Sequence, residues 1–155
     1  MTPAIRFLKD QNVDFKVHQY SHDKKTKTYG EEALEKLGVG SELVFKTLVV
    51  CLDEHELVVA VLPVLEKLSM KKVAHFFEAK KAHMAEKNAL MRSTGYILGG
   101  VSPLAQKKRL RTLIHQSAFN VACIFVSAGK RGMDIELSAL QLQTLVGASQ
   151  ADICV

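Results

Sequence analysis

Apolar and polar positions along the chain change period several times, and each change marks an element. Thr2-Pro3 offers a capping hydroxyl followed by proline at the first helical position, and Ile5, Phe7 and Leu8 supply the apolar side of a helix ending near Asn12. Val13, Phe15 and Val17 then alternate with Asp14, Lys16 and His18, which predicts a half-buried strand running to Tyr20. Ser21 to Thr28 is polar and reads as a loop. A second helix is expected from about Tyr29 to Leu37, with Gly38 suited to a left-handed C-cap. Val44–Leu52 and Leu57–Leu62 are apolar and β-branched on either side of Asp53-Glu54-His55-Glu56, a hairpin pattern.

The second half continues in the same way. Ser69 can cap a helix reaching Phe77, with Val73, Phe76 and Phe77 facing inward, and a shorter helix is expected over Ala85–Met91. The run from Ser93 to Pro103 reads as a strand entering a glycine-rich loop. Leu110–Ile114, Ala122–Ser127 and Met133–Leu137 read as further strands, the last two joined by Ala128-Gly129-Lys130-Arg131-Gly132. Ser138 can cap a final helix to Val146, stopped by Gly147. No repeat or linker interrupts residues 1–155, so one domain is expected. Strands outnumber helices and group in hairpins, which favours a mixed α/β (α+β) fold over a doubly wound one.

Composition changes this picture little. The chain has 155 residues, enough to bury its own core, and 48% hydrophobic with 24% charged residues is a globular balance. No apolar run is long enough to span a bilayer, and the N-terminus lacks the uninterrupted apolar stretch of a signal peptide, so a cytoplasmic protein is expected. Cys51, Cys123 and Cys154 are too few and scattered for a disulfide framework. The first two read as small buried hydrophobes and the third as a tail residue. The net charge of +5 suits a polyanionic partner. Its placement says more, in Lys107, Lys108, Arg109 and Arg111, in Lys130 and Arg131, and in Lys71, Lys72, Lys80 and Lys81. Each cluster reads equally well as solvated surface.

Candidate chemistry lies in three places. Gly99-Gly100 could bring peptide N–H groups close to a carbonyl or phosphate, or could simply form a tight turn. Lys46 interrupts an apolar run, on the strand face of Val44 and Leu48 and opposite Phe45 and Thr47. It must snorkel to solvent, pair with a carboxylate such as Asp134, or face a cavity. Ser127 and Asp134 lie on strands joined by the Lys130-Arg131 turn, where a hydroxyl and a carboxylate could grip an ammonium group. His18, Tyr20 and His22 share strand parity, but nothing at helical spacing completes a metal site, so neither metal nor cofactor is expected.

Several ordered segments together resemble the YbaK/EbsC family of aminoacyl-tRNA deacylases, relatives of the editing domain inserted in bacterial prolyl-tRNA synthetases. They are Met1-Thr2-Pro3-Ala4, His18-Gln19-Tyr20 with His22-Asp23, Phe45-Lys46-Thr47-Leu48, and Ser93-Thr94-Gly95-Tyr96 with Gly99-Gly100-Val101-Ser102-Pro103-Leu104. Gln106-Lys107-Lys108, Val126-Ser127, Gly129-Lys130-Arg131-Gly132 and Asp134-Ile135-Glu136 complete the set. The resemblance implies that family's fold, a mostly antiparallel mixed β-sheet, barrel-like and flanked by helices. It implies a hydrolase or lyase acting on the aminoacyl ester of tRNA, and leans towards the branch whose substrate is cysteinyl-tRNA(Pro), with cysteinyl-tRNA(Cys) a second substrate and alanyl-tRNA(Pro) or a non-catalytic tRNA-binding module the alternatives.

By the same resemblance Lys46 is the indispensable lysine, with Gly99 and Gly100 as the glycine loop. Tyr20, Tyr29, Thr47, Ser127 and Asp134 then belong to the amino-acid pocket. Lys107, Lys108, Arg109, Lys130 and Arg131 would carry the acceptor end of the tRNA, and prolyl-tRNA synthetase could supply specificity in a ternary complex; no membrane or DNA partner is expected. Tyr29 stands where the branch has phenylalanine, and Ala105 and Ala128 replace glycines, the mildest change if φ stays negative. The sequence shows no convincing protein nucleophile with an adjacent base. In that branch the reaction is thought to be substrate-assisted, the esterified cysteine's thiol attacking its own carbonyl, so the protein need only hold the substrate and stabilise the oxyanion.

Overall fold

The computed structural model describes residues 1–25 and 29–155; residues 26–28, within the predicted Ser21–Thr28 loop, lie outside the described residues. Helix α1 spans Pro3–Gln11, where the Thr2 hydroxyl accepts the Ile5 N–H and Asn12 closes the end in the left-handed conformation. Strand β1 covers only Lys16–Gln19. Val13 and Phe15 pack half-buried ahead of it, but Val17, although it pairs with Ile135 and shares that core face, is left 39% exposed at the sheet edge, while His18 and Tyr20 turn to the opposite face, that of Asp134. Helix α2 is Tyr29–Leu37. Strands β2 (Phe45–Leu52) and β3 (Glu56–Pro63) form the predicted hairpin.

Helix α3 is Met70–Phe76, capped by Ser69. Its buried stripe is Val73 and Ala74 with half-buried Phe77, so Phe76 falls beyond the stripe and is exposed instead of inward. Strand β4 (Ala82–Met84) follows, then α4, Lys87–Thr94. The predicted strand after Ser93 does not form. Glu86 caps two N–H groups at the start of α4, the Thr94 hydroxyl donates back to the Leu90 carbonyl, and Gly95 ends the helix at φ 82°. A long loop leads to β5 (Thr112–His115), followed by β6 (Ile124–Lys130), β7 (Met133–Leu137), α5 (Ala139–Val146) and β8 (Ser149–Ala151). Ser138 and Gly147 cap α5 as expected.

One sheet has the order β1-β7-β6, all antiparallel. The other runs β4-β2-β3-β5-β8, antiparallel across β4-β2-β3 and parallel across β3-β5-β8. A parallel bridge, Val44 to Phe125, links them. The mixed, mostly antiparallel α/β architecture therefore holds. The barrel does not: β1 and β6 remain edges of one sheet and β4 and β8 edges of the other, so neither closes.

The main core lies between the sheets. Ile124, Val126, Ile135 and Leu137 pack on Val59, Val61 and Ile114, with α1 and α5 covering the ends. Each such side chain, fully buried, contributes about 1.5–3 kcal/mol. Val58, Ala60, Leu62 and Leu113 pack the outer face against α3, Ile153 and Cys154. Cys154 is thus a buried packing residue and not a loose tail, while Cys51 and Cys123 are only half-buried. Alternation along β6 and β7 turns Phe125, Ser127, Asp134 and Glu136 to the opposite face, toward α2 and the loop after α4.

Candidate active site

A cavity of about 190 Å³ opens on that face. Tyr20 at the end of β1, Tyr29 on α2, Lys46 and Thr47 on β2, Gly99 in the loop, and Ser127, Lys130 and Asp134 from β6–β7 all line it. Consecutive strand residues point to opposite faces, yet Lys46 and Thr47 both border the cavity. The reason is an open strand edge: β4 pairs only with Val50–Leu52, so the start of β2 runs along the cavity wall. The Thr47 hydroxyl oxygen is buried there and has no hydrogen-bond partner among the described residues.

Asp134 sits opposite Ser127 on one side and His18 on the other, and is 5% exposed. Burial pushes its carboxyl up to about 6, with His18 pulling the other way. The Ser127 hydroxyl accepts the Gly129 N–H at 3.1 Å, which fixes its rotamer. Burial also raises the Tyr20 phenol, as do the nearby carboxylates of Asp134 and Glu32. Burial lowers the Lys46 ammonium, opposed by Cys154, Glu31 and Glu66 nearby. Lys46 therefore neither reaches solvent freely nor forms an ion pair among the described residues.

The glycine pair divides. The Gly100 N–H donates to the Ile97 carbonyl at 2.9 Å, a tight turn, and Gly100 is buried behind the cavity wall. Gly99 lines the cavity, and its N–H makes no hydrogen bond among the described residues. Its φ is 86°, and a Cβ there would lie 2.6 Å from the Tyr29 ring. Only glycine fits this position.

The basic residues also divide. Lys130 lines the cavity. Arg131 folds back over the 97–100 loop: its Nε donates to the Leu98 carbonyl at 3.1 Å and its guanidinium lies 4.5 Å from the centre of the Tyr29 ring. Lys107, Lys108 and Arg109 are exposed and lie outside the cavity, Lys108 and Arg109 rimming a separate hollow with Phe7 and Leu145. Of the two glycine replacements, Ala128 is an ordinary buried strand residue, whereas Ala105 has φ 55° and carries the strain the sequence made conditional.

Sequence reasoning missed Glu32. It is 7% exposed, accepts His22 Nδ1 at 2.7 Å and the Asp23 N–H at 2.8 Å, and ties the chain after β1 to α2. An acidic residue in the first turn of an amphipathic helix gives no signal of such a bond. His18 likewise bonds Glu136, at 2.9 Å. Among the described residues no histidine or cysteine lines the cavity.

Residues 23–145 match the sequence profile of the aminoacyl-tRNA editing domain, and the chain belongs to that family. Among its relatives is EbsC of Enterococcus faecalis, described as a candidate Cys-tRNA(Pro)/Cys-tRNA(Cys) deacylase. It is 36% identical over 152 residues, covering 98% of this chain and 92% of EbsC. Two crystal structures share the fold at lower identity. One, described as a candidate trans-editing enzyme for prolyl-tRNA synthetase, has a TM-score of 0.85 at 18% identity and covers 99% of this chain and 97% of its own. The other, a hypothetical protein, has a TM-score of 0.86 at 22% identity, with 99% of both chains covered. No helix among the described residues is long and apolar enough to cross a membrane.

Proposed function

We propose that this editing domain hydrolyses the ester of mischarged cysteinyl-tRNA(Pro) and acts in trans, and that cysteinyl-tRNA(Cys) is a second substrate, as the description of EbsC suggests. The observation that carries the reading is a small cavity with a carboxylate, a hydroxyl and a lysine on its wall and neither histidine nor cysteine among its described lining residues. Such a cavity suits the holding of an aminoacyl group whose own thiol makes the attack.

Asp134 and Ser127 take the α-ammonium group, with the Tyr20 hydroxyl beside them. Lys46 and the Gly99 N–H meet the ester carbonyl and the terminal ribose, where a donor to the developing oxyanion contributes about 3 kcal/mol. The esterified cysteine's sulfur then attacks its own carbonyl carbon. A C–S bond forms, the ester C–O bond breaks, and the thiol proton passes to the departing ribose oxygen. Water opens the resulting four-membered thiolactone, so the net reaction is hydrolysis. A tethered nucleophile has an effective molarity of about 10⁵ M or more when well aligned, which replaces an enzymic nucleophile.

Selectivity follows from the same step. One methylene in a pocket is worth only about 1–3 kcal/mol, so size alone separates small amino acids poorly. A substrate that lacks the thiol fails chemically. Lys130 at the cavity, with Lys107, Lys108 and Arg109 farther off, supplies charge for the acceptor stem, and prolyl-tRNA synthetase is the partner that would add tRNA specificity. The enzyme works where charged tRNA is made, in the cytoplasm. Purified protein is expected to deacylate cysteinyl-tRNA(Pro) and to leave the S-alkylated substrate intact. Equal rates on alanyl- and cysteinyl-tRNA(Pro) would overturn substrate assistance.

A further inference from the structure

Arg131 belongs by sequence to the basic set, yet its geometry points elsewhere. Its Nε donates to the Leu98 carbonyl at 3.1 Å, and one terminal nitrogen bonds the same oxygen. The guanidinium carbon lies 4.5 Å from the centre of the Tyr29 ring. Gly99 is pressed between the two: a Cβ there would lie 2.6 Å from Tyr29 and 2.9 Å from Arg131 Nε. A Cβ on Gly100 would lie 3.2 Å from the Arg131 backbone nitrogen, so the loop backbone rests directly on the β6–β7 turn.

We infer that Arg131 is a positioning residue, clamping the 97–100 loop against α2 and the β6–β7 turn so that the Gly99 N–H keeps its place in the cavity wall. The loop needs such a fastener. Within it the turn bond from Gly100 to Ile97 holds only its own four residues, and Ile97 and Leu98 are 48% and 46% exposed. A planar guanidinium can fork onto one carbonyl while its face covers an aromatic ring, which a lysine ammonium cannot do. The catalytic part of this inference rests on the deacylase reading above; the clamp itself does not.

The two roles available to Arg131 separate experimentally. As a clamp, Arg131→Ala lowers kcat on cysteinyl-tRNA(Pro) by about 10- to 100-fold, the usual cost of misplacing a reacting group by about an ångström. KM and the salt dependence of tRNA binding stay within twofold of wild type, and Arg131→Lys recovers only part of kcat. As a phosphate contact, Arg131→Ala would instead raise KM and flatten the slope of log K against log salt by about one unit with kcat intact. That result, or no change in either constant, overturns the inference.

Hydrogen exchange gives a readout independent of turnover. The Gly100 amide, which carries the loop's turn hydrogen bond to Ile97, is expected to exchange at least tenfold faster in Arg131→Ala and Tyr29→Ala, and near the wild-type rate in Tyr29→Phe, which keeps the ring face. Unchanged exchange in Arg131→Ala overturns the clamp even if the wild-type protein proves inactive on cysteinyl-tRNA, an outcome that would refute only the deacylase reading.

Discussion

Ser127 and Asp134 face each other directly across the β6–β7 ladder, so one rung presents a hydroxyl and a buried carboxylate to the same cavity. Side chains in this relation stand about 5 Å apart at Cβ, a span that one ammonium group can bridge. The register is enforced nearby. After Ser127 the ladder shifts, and the next paired residues are Lys130 and Met133, with the Gly129 N–H folded back onto the Ser127 hydroxyl.

Asp134 should cost stability at neutral pH. Its carboxyl ionises at about 6 in the folded protein against an ordinary value of 3.8. Between those values the folded state holds the proton more tightly than the unfolded chain, so this group's contribution to stability falls as pH rises from about 4 to about 6 and is flat above. Asp134→Asn is therefore expected to stabilise the protein by roughly 1–3 kcal/mol at pH 7.5, with the gain vanishing near pH 4. The same variant should lose deacylation, and wild-type activity should rise with pH through about 6. Urea melts at both pH values check the first part, and a pH–rate profile the second.

Lys46 is expected to be a functional expense as well. It is half-buried, burial lowers its ammonium's pKa, and it forms no ion pair among the described residues. Lys46→Ala should cut kcat by about 10²–10³, the range seen when a group that stabilises a developing oxyanion is removed. The melting temperature should be unchanged or higher, since no hydrogen-bond partner is left stranded. A variant that unfolds in parallel with its loss of activity would assign Lys46 to the scaffold.

Local signals in the sequence account for much of the fold. The Thr2-Pro3 start, the Ser69 and Ser138 caps and the β2–β3 hairpin all rest on interactions within a few residues, and each forms. The elements that were missed, β4 and β8, are three residues long and carry little apolar alternation; neighbouring strands decide them. Ser93 to Tyr96 misleads because Tyr96 and Ile97 look like strand residues, while Glu86, Thr94 and Gly95 fix a helix and its end. In the candidate site, the cavity positions of Lys46, Ser127 and Asp134 are legible because polar groups stand out in apolar strands. The fold-back of Arg131 onto Leu98 and the Glu32–His22 bond depend on tertiary approach and leave no periodic trace.

Two backbone positions with left-handed φ should respond in opposite directions. Ala105, at φ 55°, pays about 1–2 kcal/mol for its conformation, and replacing it with glycine returns that strain less about 0.4–1 kcal/mol of unfolded-state entropy. Ala105→Gly is expected to stabilise by about 0.5–1 kcal/mol. Gly129, at φ 99°, has no such freedom, because a Cβ would lie 2.4 Å from Cε1 of Tyr96. That ring cannot yield easily, since its hydroxyl donates to the Leu104 carbonyl at 2.7 Å. Gly129→Ala should destabilise by about 2–4 kcal/mol and disturb Ser127 with it. Chemical denaturation of the two variants provides the comparison.

Glu32 should make the β1–α2 connection sensitive to acid. Burial pushes its carboxyl up, but the His22 hydrogen bond and the Asp23 N–H, with smaller charge contributions from His22 and Lys36, outweigh this and leave it below the ordinary carboxylate value. A depressed folded value means that the stabilisation is fully present above the ordinary range and is lost as pH falls through the folded value. Glu32→Gln keeps the shape and one acceptor oxygen, yet forfeits the charge-assisted bonds, and is expected to cost roughly 1–3 kcal/mol at pH 7. The gap between variant and wild type should narrow steadily below about pH 4, since protonation of Glu32 makes the two proteins alike. Tyr20 on one side of this bond and Tyr29 on the other both line the cavity, so KM for the aminoacyl-tRNA should rise together with the loss of stability. A constant stability gap from pH 7 to pH 3 would show that Glu32 acts through packing and not through its charge.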